Sequence, residues 1–395
     1  MITKEKIDEL SEKYNDYVIE TRRHLHRHPE KALHEYETSA FVKAELGKMG
    51  IPWEAVGETG VIGRISGNGK SGRTVGLRAD MDALELVEDT DVDFPSEVPG
   101  MMHGCGHDAH TAMLLGAARV LTELGQENIP GDILLIFQPA EELAAGAQMM
   151  IDSGKLGHVD AIYGQHIFAN YPFGKVYTKP GAIMAGIEAF RISLKGTGGH
   201  GSEPELSNNP MMAAAAIISA LYTIPVNDVS GQEKFIISVN KAQIGTRMNI
   251  IPETGVIEGN IRYRSFEACR IAHRRIGEIA HGIAAAFGLE CVFEDTLHTD
   301  PLLNSEELFP FLEKAVNDTL GEGSIVTSPD IMGSEDFSAY AKAAPIVFAL
   351  VGTNDPETGC IYMQHSPHYK INEKVLKTGV ALHVRFALNF LGGSR

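Results

Sequence analysis

One thiol and three imidazole side chains fall within eight residues of this chain, at His103, Cys105, His107 and His110. Cys105 and His107 are separated by a single glycine, and the apolar run 112–121, which has helical spacing, follows at once. A thiolate at a helix N-terminus is stabilised by the helix dipole, and both side chains can reach one metal ion or a neighbouring pair. The motif therefore predicts a metal centre. A helix start with a buried cysteine and surface histidines is the alternative that this motif alone leaves open.

Other side chains that can bind metal follow three predicted strands of apolar residues, each at the point where the strand ends. They are Asp80 and Asp82 after residues 74–79, Glu141 and Glu142 after residues 132–138, and His166 after residues 160–165. In open α/β sheets, ligands bind at the carboxyl ends of the strands. Adjacent glutamates suit a division of labour, in which one carboxylate binds metal and the other takes a proton from water at the metal. The repeated placement predicts a hydrolytic metal site at this edge of the sheet.

The elements that position these side chains form two domains, because 395 residues exceed one ordinary core. Apolar strands alternate with helices over residues 1–185 and again over 299–395, which predicts one catalytic domain of the α/β class with a mostly parallel sheet. Between them, residues 186–298 show four strands and two helices in the order β-α-β-β-α-β. We expect this insert to be a ferredoxin-like α+β domain.

Two local patterns predict how the N-terminal part is built. Apolar residues recur at three- and four-residue spacing over 7–25, which predicts one amphipathic helix with Thr3 as its cap. The glycine-rich segment 67–72 joins the predicted strands 61–66 and 74–79, which predicts a hairpin between them.

The net charge of −18 argues against nucleic acid and anionic membrane as partners, because both require a basic surface. No apolar run approaches the roughly 20 residues that span a bilayer. The N-terminus is charged rather than signal-like, and the four cysteines lie far apart without a Cys-x-x-Cys motif. We therefore expect a cytoplasmic protein with reduced thiols.

Five segments, spread in order along nearly the whole chain, carry a resemblance to one enzyme family. They are Leu-Arg-Ala-Asp-Met-Asp-Ala-Leu at 77–84, His-Gly-Cys-Gly-His-Asp at 103–108, Gln-Pro-Ala-Glu-Glu at 138–142, Gly-Ser-Glu-Asp-Phe at 333–337 and His-Ser-Pro at 365–367. The chain resembles the metal-dependent aminoacylase/carboxypeptidase family. Within it, the branch is the one that contains hippurate hydrolase, N-acyl-amino-acid amidohydrolases and plant auxin-conjugate hydrolases.

The resemblance implies a hydrolase with two divalent metal ions per subunit, Zn or Mn foremost and Co or Ni as alternatives. The implied metal ligands are Cys105, His107, Glu142, His166 and His365. Glu141 would be the general base. Asp80 and Asp82 would lie behind the ligands, and Asp80 stands where other branches carry a ligand histidine.

The resemblance also implies that the insert is a lid domain that mediates a homodimer or a higher homo-oligomer. His200, within Gly-Gly-His-Gly, would help to polarise the scissile carbonyl from the same subunit or from a partner, although it could equally be a turn residue. Asn249 and Arg262 would contact the substrate, and a structural role at strand ends is the alternative for both.

The implied activity is cleavage of the amide bond of small N-acyl-L-amino acids, such as acetyl or benzoyl conjugates, by a hydroxide that bridges the two metal ions. A metallodipeptidase or carboxypeptidase, or an N-acetyl-diaminopimelate deacetylase, is the alternative. A metal-binding protein without catalysis would not need Glu141. A Cys105 nucleophile paired with His107 is a further alternative, which the intervening glycine makes geometrically awkward.

Overall fold

A computed structural model gives the fold and describes residues 2–393, except for the side chain of Leu297. The helices are α1 (Lys4–Lys13), α2 (Asn15–Arg27), α3 (Tyr36–Lys48), α4 (His107–Leu124), α5 (Gly146–Asp152), α6 (Pro210–Leu221), α7 (Ile224–Asn227), α8 (Phe266–Ala286), α9 (Phe309–Leu320) and α10 (Lys374–Gly392).

The strands, in chain order, are β1 (Trp53–Val56), β2 (Gly60–Ile65), β3 (Thr74–Asp80), β4 (Asp132–Gln138), β5 (Ala161–Pro172), β6 (Val176–Thr178), β7 (Gly181–Met184), β8 (Gly186–Lys195), β9 (Gly199–His200), β10 (Ile236–Ile244), β11 (Ile250–Ile251), β12 (Thr254–Tyr263), β13 (Glu290–Thr299), β14 (Leu302–Asn304), β15 (Ile325–Thr327) and β16 (Ile346–Asn354).

The chain divides into two compact units. Unit 1 consists of Met1–Gly181, Leu303–Pro329 and Asp336–Arg395, and unit 2 consists of Ala182–Leu302 and Asp330–Glu335. Unit 2 is therefore longer at both ends than the insert predicted at 186–298, and it includes residues 330–335, which were not predicted to belong to the insert.

Unit 1 is built on an eight-stranded sheet with the strand order β1-β2-β4-β3-β5-β16-β6-β15. The four central strands, from β4 to β16, run parallel to one another. The helix α4 is buried along nearly its whole length and packs against α2 and α10. A strand covered by helices is apolar without alternation, as Asp-Ile-Leu-Leu-Ile-Phe-Gln of β4 is. The predicted α/β class with a mostly parallel sheet is confirmed.

Three local predictions for unit 1 are wrong. The opening helix is interrupted at Tyr14 and forms α1 and α2, although Thr3 does cap α1 by accepting the backbone N–H of Lys6 at 3.3 Å. Strands β2 and β3 do not form a hairpin, because β4 lies between them. His166 does not end its strand, because apolar residues continue β5 as far as Pro172.

His166 nevertheless reaches the expected edge of the sheet. The last pair between β3 and β5 joins Arg78 to Gly164, and β3 ends at Asp80. His166 is two residues beyond Gly164, so it is level with the end of β3 while β5 continues past it.

Unit 2 contains a four-stranded antiparallel sheet with the order β10-β12-β8-β13. The helices α6 and α8 cover one face, where Ile217 and Ile276 join a core with Phe190 and Ile257. The chain follows the expected β-α-β-β-α-β order, with the short helix α7 added after α6.

One stretch of unit 2, Pro210–Asn227, is long and apolar enough to cross a membrane by length and composition alone. Its mean hydropathy is 1.4, and 33% of its residues are buried. This corrects the expectation that no run approaches that length. The buried residues, among them Ala213 and Ile217, belong to the core of unit 2, and the helix breaks between Leu221 and Ile224.

Candidate metal centre

Gly106 separates the two ligand candidates of the central motif and starts the helix behind them. It has φ of 93°, a conformation that side chains rarely adopt, and α4 begins at the next residue. A Cβ atom at this position would lie 2.6 Å from a side-chain carbon of Ile167. The glycine therefore lets the chain turn tightly enough to place Cys105 and His107 against β5.

Cys105, His107 and His166 form one group of metal-binding atoms, all within 4.8 Å of one another. The Cys105 sulfur lies 3.4 Å from Nε2 of His166. Nδ1 of His166 lies 2.5 Å from the carbonyl oxygen of Ile167, and Nδ1 of His107 lies 2.9 Å from that of Asp82. Because a ring nitrogen that donates to a carbonyl leaves the other with its lone pair, both Nε2 atoms can bind metal.

Cys105 also belongs to a second group, with Glu142 and His365. Oε1 of Glu142 lies 3.5 Å from Nε2 of His365, whose side chain is 55% exposed. A third group joins His107 to Glu141 and Glu142. The structure thus brings all five predicted ligands and the predicted base together, and the shared Cys105 makes the groups overlap as two adjacent metal positions require.

The donor atoms fit divalent ions. Nε2 of His107 and Oε1 of Glu142 are buried and have no hydrogen-bond partner within residues 2–393. Buried polar atoms without a partner are rare in folded proteins, and a bound cation would satisfy both. A thiolate, imidazoles and a carboxylate together suit zinc by softness, and the carboxylates also permit Mn, Co or Ni.

Burial and neighbouring charges shift the ligand pKa values in opposite directions. Burial raises the pKa of the Cys105 thiol well above its ordinary value, and the Glu142 carboxylate adds to this. Burial lowers the pKa of His166 well below its usual range. Burial opposes protonation of His107, but Asp80, Cys105 and Asp82 together outweigh it and raise the pKa well above its ordinary value. A metal ion must therefore displace protons from Cys105 and His107.

Strained backbone surrounds the glutamate pair. Ala140 and Ala144, on either side of Glu141 and Glu142, are left-handed with φ of 53° each, and His365 has φ of 65°. Non-glycine residues in this region cost roughly 1 to 3 kcal/mol and persist only when the surroundings hold them in place. Among residues 2–393, three of the four non-glycine residues with positive φ are a proposed ligand or lie two residues from one, and the fourth is Leu33.

Two carboxylates hold this strained turn. Glu35 accepts the backbone N–H of Ala140 at 2.9 Å and the hydroxyl of Thr59 at 2.8 Å. Asp82 accepts the N–H groups of Glu141 and Glu142, both at 3.0 Å. Sequence reasoning assigned no role to Glu35, because no local pattern connects residue 35 to residue 140.

Oδ2 of Asp80 lies 3.7 Å from Nε2 of His107, and Asp80, His107 and His110 form a further group of metal-binding atoms, so the supporting role implied for Asp80 stays a prediction. Oδ1 of Asp80 accepts a hydrogen bond from Nδ1 of His110 at 2.6 Å, and Nε2 of His110 accepts the N–H of Ile167 at 3.0 Å. Both nitrogens of His110 are thereby engaged in hydrogen bonds, which favours a supporting role over metal binding for this third imidazole of the motif. The remaining imidazole, His103, is buried with no hydrogen-bond partner in the described chain, and burial lowers its pKa to about 4.

The three residues predicted to contact substrate belong to unit 2. His200 on β9 is exposed and pairs with Ile250 of β11, and the N–H of Gly201 donates to the carbonyl of Asn249 at 3.0 Å. The structure therefore brings His200 and Asn249 close together. Arg262 is on β12 and donates to the hydroxyl of Ser334 at 3.3 Å. Their roles toward substrate stay predictions.

A family model, relatives of similar sequence and a solved structure are all consistent with one enzyme family. The model of Peptidase family M20/M25/M40 matches residues 76–389. Thermostable carboxypeptidase 2 of Saccharolobus solfataricus is 38% identical over 391 residues, which cover 98% of each chain. IAA-amino acid hydrolase ILR1-like 2 of Arabidopsis thaliana is 37% identical over 381 residues, which cover 95% of this chain and 85% of the relative.

A solved structure of a dinuclear metal binding peptidase of the M20 family, from Bacillus subtilis, superimposes with a TM-score of 0.84 and 32% identity. The match covers 96% of this chain and 99% of that one. The resemblance stated from the sequence is confirmed, and with it a metallo-amidohydrolase that uses divalent metal ions and acts on small molecules. The chain belongs to peptidase family M20/M25/M40.

Proposed function

We propose that this enzyme hydrolyses N-acyl-L-amino acids, with acetyl, benzoyl or similar acyl groups, to a carboxylate and a free amino acid. The observation that carries the proposal is the pair of overlapping donor groups that share Cys105, with Glu141 held beside them. Two ligand groups side by side, with an adjacent carboxylate, suit amide hydrolysis at a two-metal site.

The residues divide the work between binding and proton transfer. Cys105, His107, Glu142, His166 and His365 would hold two divalent ions, which supply Lewis-acid polarisation of the amide carbonyl and activation of water. Glu141 would accept the proton that the attacking water loses and return it to the leaving amine. Asp82 fixes the backbone of this glutamate, so that its carboxylate stays next to the ligands.

Exposed apolar side chains next to the ligands in sequence support an apolar acyl group. Leu143 follows Glu142 and is 51% exposed. Ile361, Tyr362 and Met363, just before His365, are also exposed. Apolar surface that flanks polar catalytic groups is typical of sites for ligands with a hydrophobic part. The plant relative, which is named an IAA-amino acid hydrolase, is consistent with this substrate class.

A carboxypeptidase or dipeptidase is the second candidate, because the archaeal relative is named a carboxypeptidase. The two functions differ in the group on the acyl (carbonyl) side of the scissile bond. A dipeptide presents a free, charged amine there, whereas an acylated amino acid presents a neutral acyl chain.

A substrate panel with metal replacement tests the proposal. Protein stripped by a chelator is reloaded with Zn, Mn, Co or Ni and assayed on N-acetyl- and N-benzoyl-amino acids and on plain dipeptides. Metal-dependent release of amino acid from the acylated substrates, with Zn or Mn most effective, is expected. Preferential hydrolysis of free-amine dipeptides would favour the second candidate, and no hydrolysis of any amide would refute both.

We further propose a cytoplasmic homodimer formed through unit 2. The surface of α6 and α7 in this unit is apolar, with Met212 58% exposed and Val226 82% exposed. Side chains of this kind are enriched at subunit interfaces. Sedimentation velocity of the wild-type chain and of a Met212→Lys, Val226→Lys variant tests this, and a monomeric wild type would contradict it.

A further inference from the structure

Unit 2 contains a cluster of metal-binding side chains that the proposed hydrolysis does not use. Glu188 of β8, Cys269 of α8 and His298 of β13 bring one donor atom each to within 4.8 Å of one another. Cys269 Sγ lies 3.5 Å from Oε2 of Glu188, and Nδ1 of His298 lies 3.8 Å from the same oxygen. Ligands of a tetrahedral zinc ion, bonded at about 2.0 to 2.3 Å, are separated by roughly 3.3 to 3.8 Å.

The fold fixes this geometry. His298 and Glu188 are direct partners across the antiparallel pair of β13 and β8. Side chains at such positions stand on the same face of the sheet, about 5 Å apart. Cys269 comes from α8, which packs on the sheet, and its residue is buried together with Glu188. Three separate elements therefore converge on one point.

Neighbouring side chains already orient two of the three candidate ligands. Nε2 of His298 lies 2.9 Å from a carboxylate oxygen of Asp300, and Nδ1 lies 3.8 Å from Oε2 of Glu188 and 3.4 Å from the Tyr263 hydroxyl, which a metal ion at Nδ1 would replace as its partner. Oε1 of Glu188 lies 2.7 Å from Nδ1 of His273, one helical turn after Cys269, which leaves Oε2 facing the other two ligands. A metal-binding histidine that donates its second nitrogen to a carboxylate is the usual support of a zinc site.

A cluster that only stabilised the fold of unit 2 would not need all three of these side chains. Glu188 could be satisfied by the two histidines alone, as a buried carboxylate paired with imidazoles. The thiol of Cys269 adds little to that arrangement, because S–H is a weak donor. In the described structure the thiol makes a long hydrogen bond to Oε2 of Glu188, at 3.5 Å, and Nδ1 of His298 lies 3.8 Å from the same oxygen, so the three donor atoms converge without a short hydrogen bond among them.

We infer that Glu188, Cys269 and His298 form a zinc site in unit 2, separate from the proposed catalytic centre. Water would take the fourth position, because the side chains of His273 and His298 are 41% and 46% exposed and leave the cluster open to solvent. On binding, the thiol proton of Cys269 is released to solvent. The ion links the edge strand β13 to α8 and β8.

Zinc counting on the full-length protein tests the inference. Stripped protein is reloaded with zinc, freed of loosely bound metal and analysed by elemental mass spectrometry. Wild type should hold about one zinc per chain more than Cys269→Ser and His298→Gln. Cys291→Ser is the matched control, because Cys291 is a free cysteine of the same unit outside the cluster, and it should keep the wild-type zinc content. All variants should keep their hydrolytic activity within about twofold of wild type.

A second test uses wild type alone, so its result does not depend on whether the variants fold. Alkylation of Cys269, followed by peptide mass spectrometry, should slow about tenfold at a free zinc concentration of about ten times the dissociation constant, because only the metal-free fraction reacts. Excess chelator should restore the rate, and the rate at Cys291 should not change. Equal zinc contents in wild type and the two cluster variants, or alkylation of Cys269 at the same rate with and without zinc, would overturn the inference. The zinc count at this cluster is independent of whether the amide substrate proposed above is correct.

Discussion

The Asp82 carboxylate accepts the backbone N–H of Glu142 at 3.0 Å through Oδ2, and its other oxygen accepts the N–H of Glu141 at the same distance. One side chain, two residues beyond the end of β3, thereby fixes the turn that follows β4. Two adjacent strands of the parallel sheet are coupled at the point where the proposed ligand and base leave it. These two hydrogen bonds therefore help to position Glu141 and Glu142 in the proposed metal centre.

Replacement of Asp82 by Asn should lower metal affinity or turnover by about 10- to 100-fold, because the new amide nitrogen faces an N–H group and cannot accept it. Zinc titration and steady-state kinetics of Asp82→Asn measure both quantities. Asp91→Asn, which changes a carboxylate that is 78% exposed, is the control and should behave as wild type. Wild-type metal affinity and turnover in Asp82→Asn would show that the turn at Glu141 and Glu142 keeps its conformation without the Asp82 hydrogen bonds.

Arg78 ties the strand ends together beneath the site. It donates to Oδ2 of Asp80 at 2.6 Å, to Gln138 at 2.9 Å and to Asp336 at 3.0 Å, and it is fully buried. Arg78→Met leaves two buried carboxylates with one fewer positive neighbour, so the free energy of unfolding should fall by about 3 to 5 kcal/mol. Urea unfolding of the metal-free protein measures this.

Arg64→Met is the comparison for that variant, because Arg64 pairs with Glu54 on the exposed side of the same sheet. Surface pairs contribute about 0 to 1 kcal/mol, so this variant should lose no more than that. Similar losses in the two variants would contradict the role assigned to Arg78.

His383 should make the protein less stable in acid. It is buried in α10 beside the Tyr163 ring, and its nitrogens have no hydrogen-bond partner among residues 2–393. Burial lowers its pKa to about 3, from an ordinary value of 6.5. Below pH 6.5 the unfolded chain therefore binds a proton at His383 that the folded chain does not bind. The free energy of unfolding falls progressively as the pH drops from 6.5 toward 3.

pH 5 is about 1.5 pH units below the ordinary pKa of histidine, so at this pH the buried His383 lowers the free energy of unfolding by about 2 kcal/mol. His383→Leu should abolish that share of the loss between pH 7.5 and pH 5 in urea unfolding of metal-free protein. His158→Gln, at a histidine with an 82% exposed side chain, should retain the loss. An unchanged pH dependence in His383→Leu would assign the acid sensitivity elsewhere.

The sequence predicted those elements whose signal is local. The strand over 132–138 is β4 without correction, because it is an apolar run bounded by turn residues. The ligand motif was equally readable, since Cys105 and His107 are two residues apart. These signals depend only on neighbours along the chain.

What the sequence could not predict depends on distant parts of the chain. The position of β4 between β2 and β3 is set by long-range pairing, so the hairpin expected at 67–72 was wrong. The left-handed Ala140 and its contact with Glu35 join residues 105 positions apart. The engagement of His110 by Asp80 likewise required the folded edge of the sheet.

The most direct test of the account compares Glu141→Gln with Glu142→Gln, two neighbouring carboxylates assigned different tasks. Metal content per chain and turnover of an N-acyl-amino acid are measured on both. Glu141→Gln should keep the wild-type metal content and lose turnover by about 10²- to 10⁴-fold, as removal of a general base does. Glu142→Gln should lose metal as well as turnover, because it removes a ligand. Wild-type turnover in Glu141→Gln, or equal metal loss in both variants, would contradict the division of roles on which the proposed function rests.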